Sequence, residues 1–175
     1  MKVIKAKTAG FCFGVKRAVD TVYKQVDTKC GQIYTYGPII HNEEVIKDMR
    51  DKGVIVLRSE EDLDMISQGT VIIRSHGVEK RIYEKIEQKG LRIVDATCPF
   101  VKKIHNIVSE KSGEGFHIII IGNPEHPEVV GIKGWAKDNV TVIQSAEDAE
   151  CFTADRKEKI CIVSQTTFNY NKFKD

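Results

Sequence analysis

A run of about 20 apolar residues, the length needed to cross a bilayer as a helix, is nowhere in this chain. The opening Met-Lys-Val-Ile-Lys does not read as a secretory signal, so a cytoplasmic protein with no membrane contact is expected. Charge of one sign is scarce too. A net charge of +2, from 27 Lys and Arg against 25 Asp and Glu, leaves no basic stripe and gives nucleic-acid binding no electrostatic support. Neither the P-loop nor the Rossmann glycine fingerprint is present, so a nucleotide is not indicated. Five cysteines, an odd number without regular spacing, argue against a disulfide scaffold. No Cys-x-x-Cys pair offers the short spacing that zinc favours. Low-complexity tracts, linkers and residue-level repeats are absent as well.

What remains is an ordinary globular composition, 41% hydrophobic and 30% charged, long enough for one domain or two small ones. Apolar runs rich in β-branched residues predict strands at Val3–Ala6, Gln32–Tyr36, Val54–Leu57, Thr70–Arg74, Arg92–Asp95, Phe116–Ile121, Val140–Ile143 and Lys159–Val163. Helical spacing predicts helices at Val15–Val26, Asn42–Lys52, Glu79–Lys89, Pro99–Lys111 and Pro127–Ala136, with shorter turns at Ser59–Met65 and Ser145–Ala149. Alternation of this kind predicts an α/β protein whose parallel sheets carry helices on their faces. Two blocks of similar size meet near Cys98–Pro99. We therefore expect one α/β unit over 1–98, with Cys12, His41 and His76, and a second over 99–175, with His126, Glu128 and Thr166.

The chain is organised around Ala9–Val19, where a strand, a glycine-bracketed turn and a helix are expected in succession. Gly10 and Gly14 permit tight geometry and close approach. Cys12 falls between them near a helix N-terminus, where free amides favour a thiolate. Such a cysteine is a nucleophile, a metal ligand or an inert packed residue. Cys98, before Pro99, repeats the setting, with Thr97 or Cys98 as the cap. Cys30, Cys151 and Cys161 have no chemical neighbours in sequence and read as structural or incidental.

Reactive side chains recur where strands end and helices begin: His41-Asn, Ser-His76-Gly, Thr-Cys98-Pro, His126-Pro-Glu128 and Ser-Gln165-Thr166. In open parallel sheets that carboxyl edge is where ligands bind, so these junctions are expected to share a site. The three histidines suit an anion or a metal, and helix starts beside them suit a diphosphate. Glu128 is either a proton donor or a solvated first-turn carboxylate. His105 and His117, inside a helix and a strand, are expected to be bystanders.

Taken in order, Ala-Gly-Phe-Cys12-Phe-Gly-Val-Lys-Arg-Ala, Ile-His41-Asn, Ser-His76-Gly-Val, Asp-Ala-Thr-Cys98-Pro, His126-Pro-Glu128-Val and Gln165-Thr-Thr closely resemble the 4-hydroxy-3-methylbut-2-enyl diphosphate reductases. These enzymes end the non-mevalonate isoprenoid pathway, and the resemblance runs the length of the chain. It implies an oxygen-sensitive 4Fe-4S enzyme whose cluster is held by three cysteines, Cys12 and Cys98 matching the first two. It implies that His41, His76, His126 and Thr166 surround the substrate and its diphosphate, and that Glu128 delivers protons as hydroxide leaves. Electrons would come from reduced ferredoxin or flavodoxin, and the products would be isopentenyl and dimethylallyl diphosphate.

The family fold is three α/β units around a central cluster, of which two are expected here. The third ligand, a Ser-x-Asn segment and a late serine belong to a unit beyond Asp175, and Cys151 and Cys161 do not match that ligand. A truncated chain, inactive by itself, is thus the expectation.

Two rival readings use the same residues. Gly10-Phe-Cys12-Phe-Gly14 has the form of a nucleophile elbow, and His126-Pro-Glu128 resembles the pair of a class I glutaminase. In such folds an earlier strand supplies the oxyanion loop, none is read before Val3, and His41, His76 and Cys98 are left without roles. A zinc or anion-binding module of Cys12, Cys98 and two histidines is the non-enzymatic alternative.

Overall fold

The structure, a computed structural model, describes residues 2–28, 31–155 and 157–174. Cys30 lies outside them. The first half contains α1 (Phe13–Asp27), β1 (Ile33–Tyr36), α2 (Glu43–Asp51), β2 (Ile55–Leu57), α3 (Glu60–Asp64), β3 (Thr70–Ile73), α4 (Lys80–Gln88) and β4 (Arg92–Asp95). Its strands form one parallel sheet in the order β2-β1-β3-β4. The second half contains α5 (Pro99–Gly113), β5 (His117–Ile121), α6 (Pro127–Lys133), β6 (Val140–Ile143), α7 (Ala146–Cys151), β7 (Ile160–Ser164) and α8 (Tyr170–Lys174). Here the parallel order is β6-β5-β7. Among the described residues no helix is long and apolar enough to cross a membrane.

Strand periodicity explains how one sheet serves two helix layers. Central strand β3 is buried throughout. Its Ile72 packs with Ala18, Val22, Ile39 and Met49 on one face, and Val71 and Ile73 pack with Leu63, Ile82 and Ile86 on the other. In the second sheet Ile118 and Ile120 meet Val108, Val129 and Ile132. Each such buried side chain contributes about 1.5–3 kcal/mol relative to exposure.

Two expectations are corrected. Val3–Ala6 is not a strand, and Val3 and Ile4 are 78% and 79% exposed. A β-branched run becomes a strand only when it pairs and packs, and neither sheet, β2-β1-β3-β4 or β6-β5-β7, takes it in as a strand. At the other end, α8 is a helix that the sequence pattern does not predict; Asn169 Oδ1 accepts from the amides of Asn171 and Lys172 and caps its first turn.

Hydrogen bonds beyond the strand ends align the loops that matter. The Ser75 amide donates to Ile39 O at 3.2 Å, and the Cys98 amide donates to Ser75 O at 2.8 Å, extending the β1-β3-β4 ladder into the turns. Ser75 Oγ also donates to Ile39 O. In the second sheet the Gln165 amide donates to Ile121 O and the Gly122 amide to Ile143 O. The two sheets are linked by Trp135 Nε1, which donates to Val78 O at 2.9 Å.

Candidate functional site

Cys12 and Cys98 are the N-cap residues of α1 and α5, and neither side chain makes a capping hydrogen bond. Cys12 is exposed and Cys98 half-buried. The two helix starts are pressed together at Gly14, where an added Cβ would sit 2.6 Å from Cys98 Sγ. Arg17 holds the contact from the next turn, its guanidinium donating to Thr97 O at 2.9 Å and Asp95 O at 3.3 Å. Two uncapped thiols at adjacent helix N-termini, over a glycine that leaves room for sulfur, fit thiolate ligation of an iron–sulfur group.

The turns after β1 and β3 and the one before α6 bring three imidazoles together. Ring centroids are 4.8 Å apart for His41 and His76, 5.5 Å for His76 and His126, and 6.4 Å for His41 and His126. One ligand atom from each lies within 4.8 Å of the others. That convergence suits one shared guest, a metal ion or an anion with several oxygens. His126 Nδ1 accepts from the Glu128 amide at 3.1 Å, which leaves its Nε2 carrying the proton as a donor.

Glu128 is 1% exposed. Its carboxylate accepts from the Thr166 amide at 2.6 Å and from Thr166 Oγ1 at 2.8 Å. The glutamate that sequence left open as a solvated first-turn acid is thus buried and tied across to the loop after β7. Gln165, buried beside it, braces the loops around the site, because its Oε1 accepts from the Asn123 amide and its Nε2 donates to Thr167 Oγ1.

The expected bystanders are both built into the frame. His117 bridges Glu158, at 2.7 Å from Nδ1, and Thr141, at 2.8 Å from Nε2, and this is at the amino end of β5. His105 is buried, stacks on Trp135 at 5.0 Å, and packs under Gly77, where an added Cβ would sit 2.4 Å from its Cε1. Its Nε2 has no partner among the described residues. Sequence spacing gave no sign that this helix histidine props the His76 turn.

Burial lowers the pKa of His76 to about 4, helped by His41, His126 and Arg74, and burial lowers that of His105 to about 4. An unfolded chain titrates both near 6.5. Between those values the unfolded state binds more protons, so stability is fully present above about pH 6.5 and falls as pH drops toward 4. Urea midpoints are expected to decrease from pH 7 to 5, less steeply in His105→Phe, which keeps the stack on Trp135. A midpoint flat across that window would contradict the assignment of both histidines as neutral.

Comparison with known proteins places these features in context. Residues 3–175 match the family model described as LytB protein. The chain is 46% identical over 176 residues to a 4-hydroxy-3-methylbut-2-enyl diphosphate reductase of Caldanaerobacter subterraneus subsp. tengcongensis. It is 48% identical over 177 residues to one of Thermoanaerobacter sp.. All of the chain is covered in both comparisons, and it spans 60% of either relative's length. The fold matches the structure of the Plasmodium falciparum E-1-hydroxy-2-methyl-but-2-enyl-4-diphosphate reductase with a TM-score of 0.89 at 31% identity, covering 96% of this chain and 52% of that one. A solved (E)-4-hydroxy-3-methyl-but-2-enyl diphosphate reductase, described as the terminal enzyme of the non-mevalonate pathway, matches at 0.81 and 39% identity, covering 98% of this chain and 60% of that one.

Proposed function

The chain belongs to the LytB family, and on that premise we propose that it forms part of a 4-hydroxy-3-methylbut-2-enyl diphosphate reductase, comprising two α/β units that meet at Cys98–Pro99. The reaction is a reductive dehydroxylation giving isopentenyl and dimethylallyl diphosphate, with reduced ferredoxin or flavodoxin as the source of two electrons. The observation that carries this reading is the convergence of three imidazoles, with a buried carboxylate and threonine hydroxyl, at the carboxyl edges of the sheets.

Cys12 and Cys98 would hold a 4Fe-4S cluster, which supplies the electrons and a Lewis-acidic iron when bound. The chain's own residues do the rest. His41, His76 and His126 donate ring N–H hydrogen bonds to the charged diphosphate oxygens, His126 through Nε2 because its Nδ1 accepts from the Glu128 amide. Thr166 holds the Glu128 carboxylate in one orientation through two hydrogen bonds. Glu128, once protonated, gives its proton to the departing hydroxyl oxygen and is then left as the carboxylate that Thr166 satisfies. Burial keeps water from competing for that proton.

Pyrophosphate binding to the 175-residue chain tests the anion site. His41→Ala and His126→Ala are each expected to weaken it about tenfold, the size of one charge-assisted contact. Unchanged affinity in both variants would move the diphosphate elsewhere.

A further inference from the structure

A second cationic pocket lies outside the histidine site. We propose that the cavity between α2 and the β2 edge of the first sheet binds a phosphorylated small molecule that also carries hydroxyl or amino groups. The cavity has a volume of about 610 Å³, and none of Cys12, His41, His76, His126 or Glu128 lines it. That volume is in the range of small-molecule sites, about 300–1,000 Å³.

Its walls carry Lys47, Arg50, Arg58 and Arg74. Among the described residues none of the four is in an ion pair. Nearby cations of the same half do pair: Lys52 with Asp48, Arg81 with Glu60 and Glu79, Lys85 with Asp64. An unpaired cation in full solvent needs no explanation, and Lys47, Arg50 and Arg58 are exposed. Arg74 is different. It is half-buried, and burial pulls its guanidinium below the usual arginine range. Its Nε donates to Gly77 O at 3.3 Å, and the side chain passes close to Gly37. A Cβ at that position would sit 2.6 Å from Nη1, and the φ of +73° already selects glycine.

The backbone is thus shaped to seat a desolvated cation that has no carboxylate partner. Removing a charge from water without a partner is costly. A phosphoryl group, whose oxygens match the guanidinium fork, restores the missing partner. Glu43 and Glu44, from the first turn of α2, also line the cavity. They disfavour a bare polyanion and accept hydrogen bonds from hydroxyl or amino groups, which selects a ligand carrying both kinds of group.

The test is titration of the isotope-labelled 175-residue chain with ribose 5-phosphate, followed by amide chemical shifts. Saturable shifts are expected at Gly37, Lys47, Arg58 and Arg74, with a Kd of about 1 mM or tighter. Arg58→Ala and Arg50→Ala, both at exposed positions, are each expected to weaken binding about tenfold. Arg74→Lys keeps the charge, removes the fork, and is expected to weaken it similarly. Three results would overturn the site: no saturable shift up to about 10 mM, shifts confined to His41, Gly77 and His126, or affinity unchanged in Arg58→Ala. The second would place the phosphate in the histidine cluster and leave the proposed function standing. Loss of pyrophosphate binding at the histidines would, conversely, leave this cavity untouched.

Discussion

Glu128→Gln, introduced into a full-length reductase that contains this chain, is expected to cut turnover by about 10²–10⁴-fold while leaving substrate affinity within about threefold. The split follows from the hydrogen bonds around the carboxylate. One oxygen accepts from the Thr166 amide and the other from Thr166 Oγ1. A glutamine keeps the first bond through its carbonyl oxygen. Its NH2 then donates to Oγ1, whose hydroxyl rotates to accept. Shape and burial survive, and only the transferable proton is lost. Glu128→Ala would be less informative, because it also leaves a cavity and strands the Thr166 amide. Single-turnover kinetics with a separate measurement of substrate binding make the distinction. A variant that turns over normally removes Glu128 from proton delivery, and one that fails only in binding makes it a substrate-holding residue.

The junctions were legible because each chemical group is bracketed by a local signal: a β-branched run before it and a helix start after it. Cys98 before Pro99 and His126 before Pro127 take N-cap positions for that reason. Gly14 advertised close approach, although the atom it admits, Cys98 Sγ, belongs to a residue 84 positions away and could not be read locally. The burial of Glu128 was hidden for the same cause. A first-turn acid after proline is usually solvated, and only the crossing of β7 beside β5 brings Thr166 over it. Val3–Ala6 failed in the opposite sense. Its composition suits a strand, yet a strand also needs a partner and a face to bury, which composition does not encode, and neither sheet takes these residues in. His105 and Arg17 were missed because a helix interior gives no hint of what packs on its face. Arg17 fixes the Thr97–Cys98 turn by two long-range hydrogen bonds, and His105 supports Gly77 from below.

Anaerobic reconstitution of residues 1–175 with iron and sulfide is expected to yield well under about four irons per chain, with no reductase turnover, because a cubane takes thiolates from several sides. Cys98 Sγ packs at Gly14, in the first turn of the helix that Cys12 caps, but the other described cysteines are placed elsewhere. Cys161 sits in β7 in register with Ile118, near the amino end of the second sheet, and packs against that sheet's core. Cys151 ends α7, and its neighbour Phe152 meets His117 edge-on at 5.3 Å, again at the amino end of β5. The cysteine-bearing helix starts, by contrast, gather at the carboxyl edge of the first sheet, through the Cys98–Ser75 hydrogen bond. Cys161 would reach that edge only if β7 unpaired from β5. Iron and sulfide per chain and the response to single substitutions decide the matter. Cys12→Ser and Cys98→Ser are expected to abolish whatever iron the chain retains, while Cys151→Ser and Cys161→Ser leave it unchanged. Four irons per chain that disappear in Cys30→Ser, Cys151→Ser or Cys161→Ser would identify a third ligand within these residues and overturn the assignment.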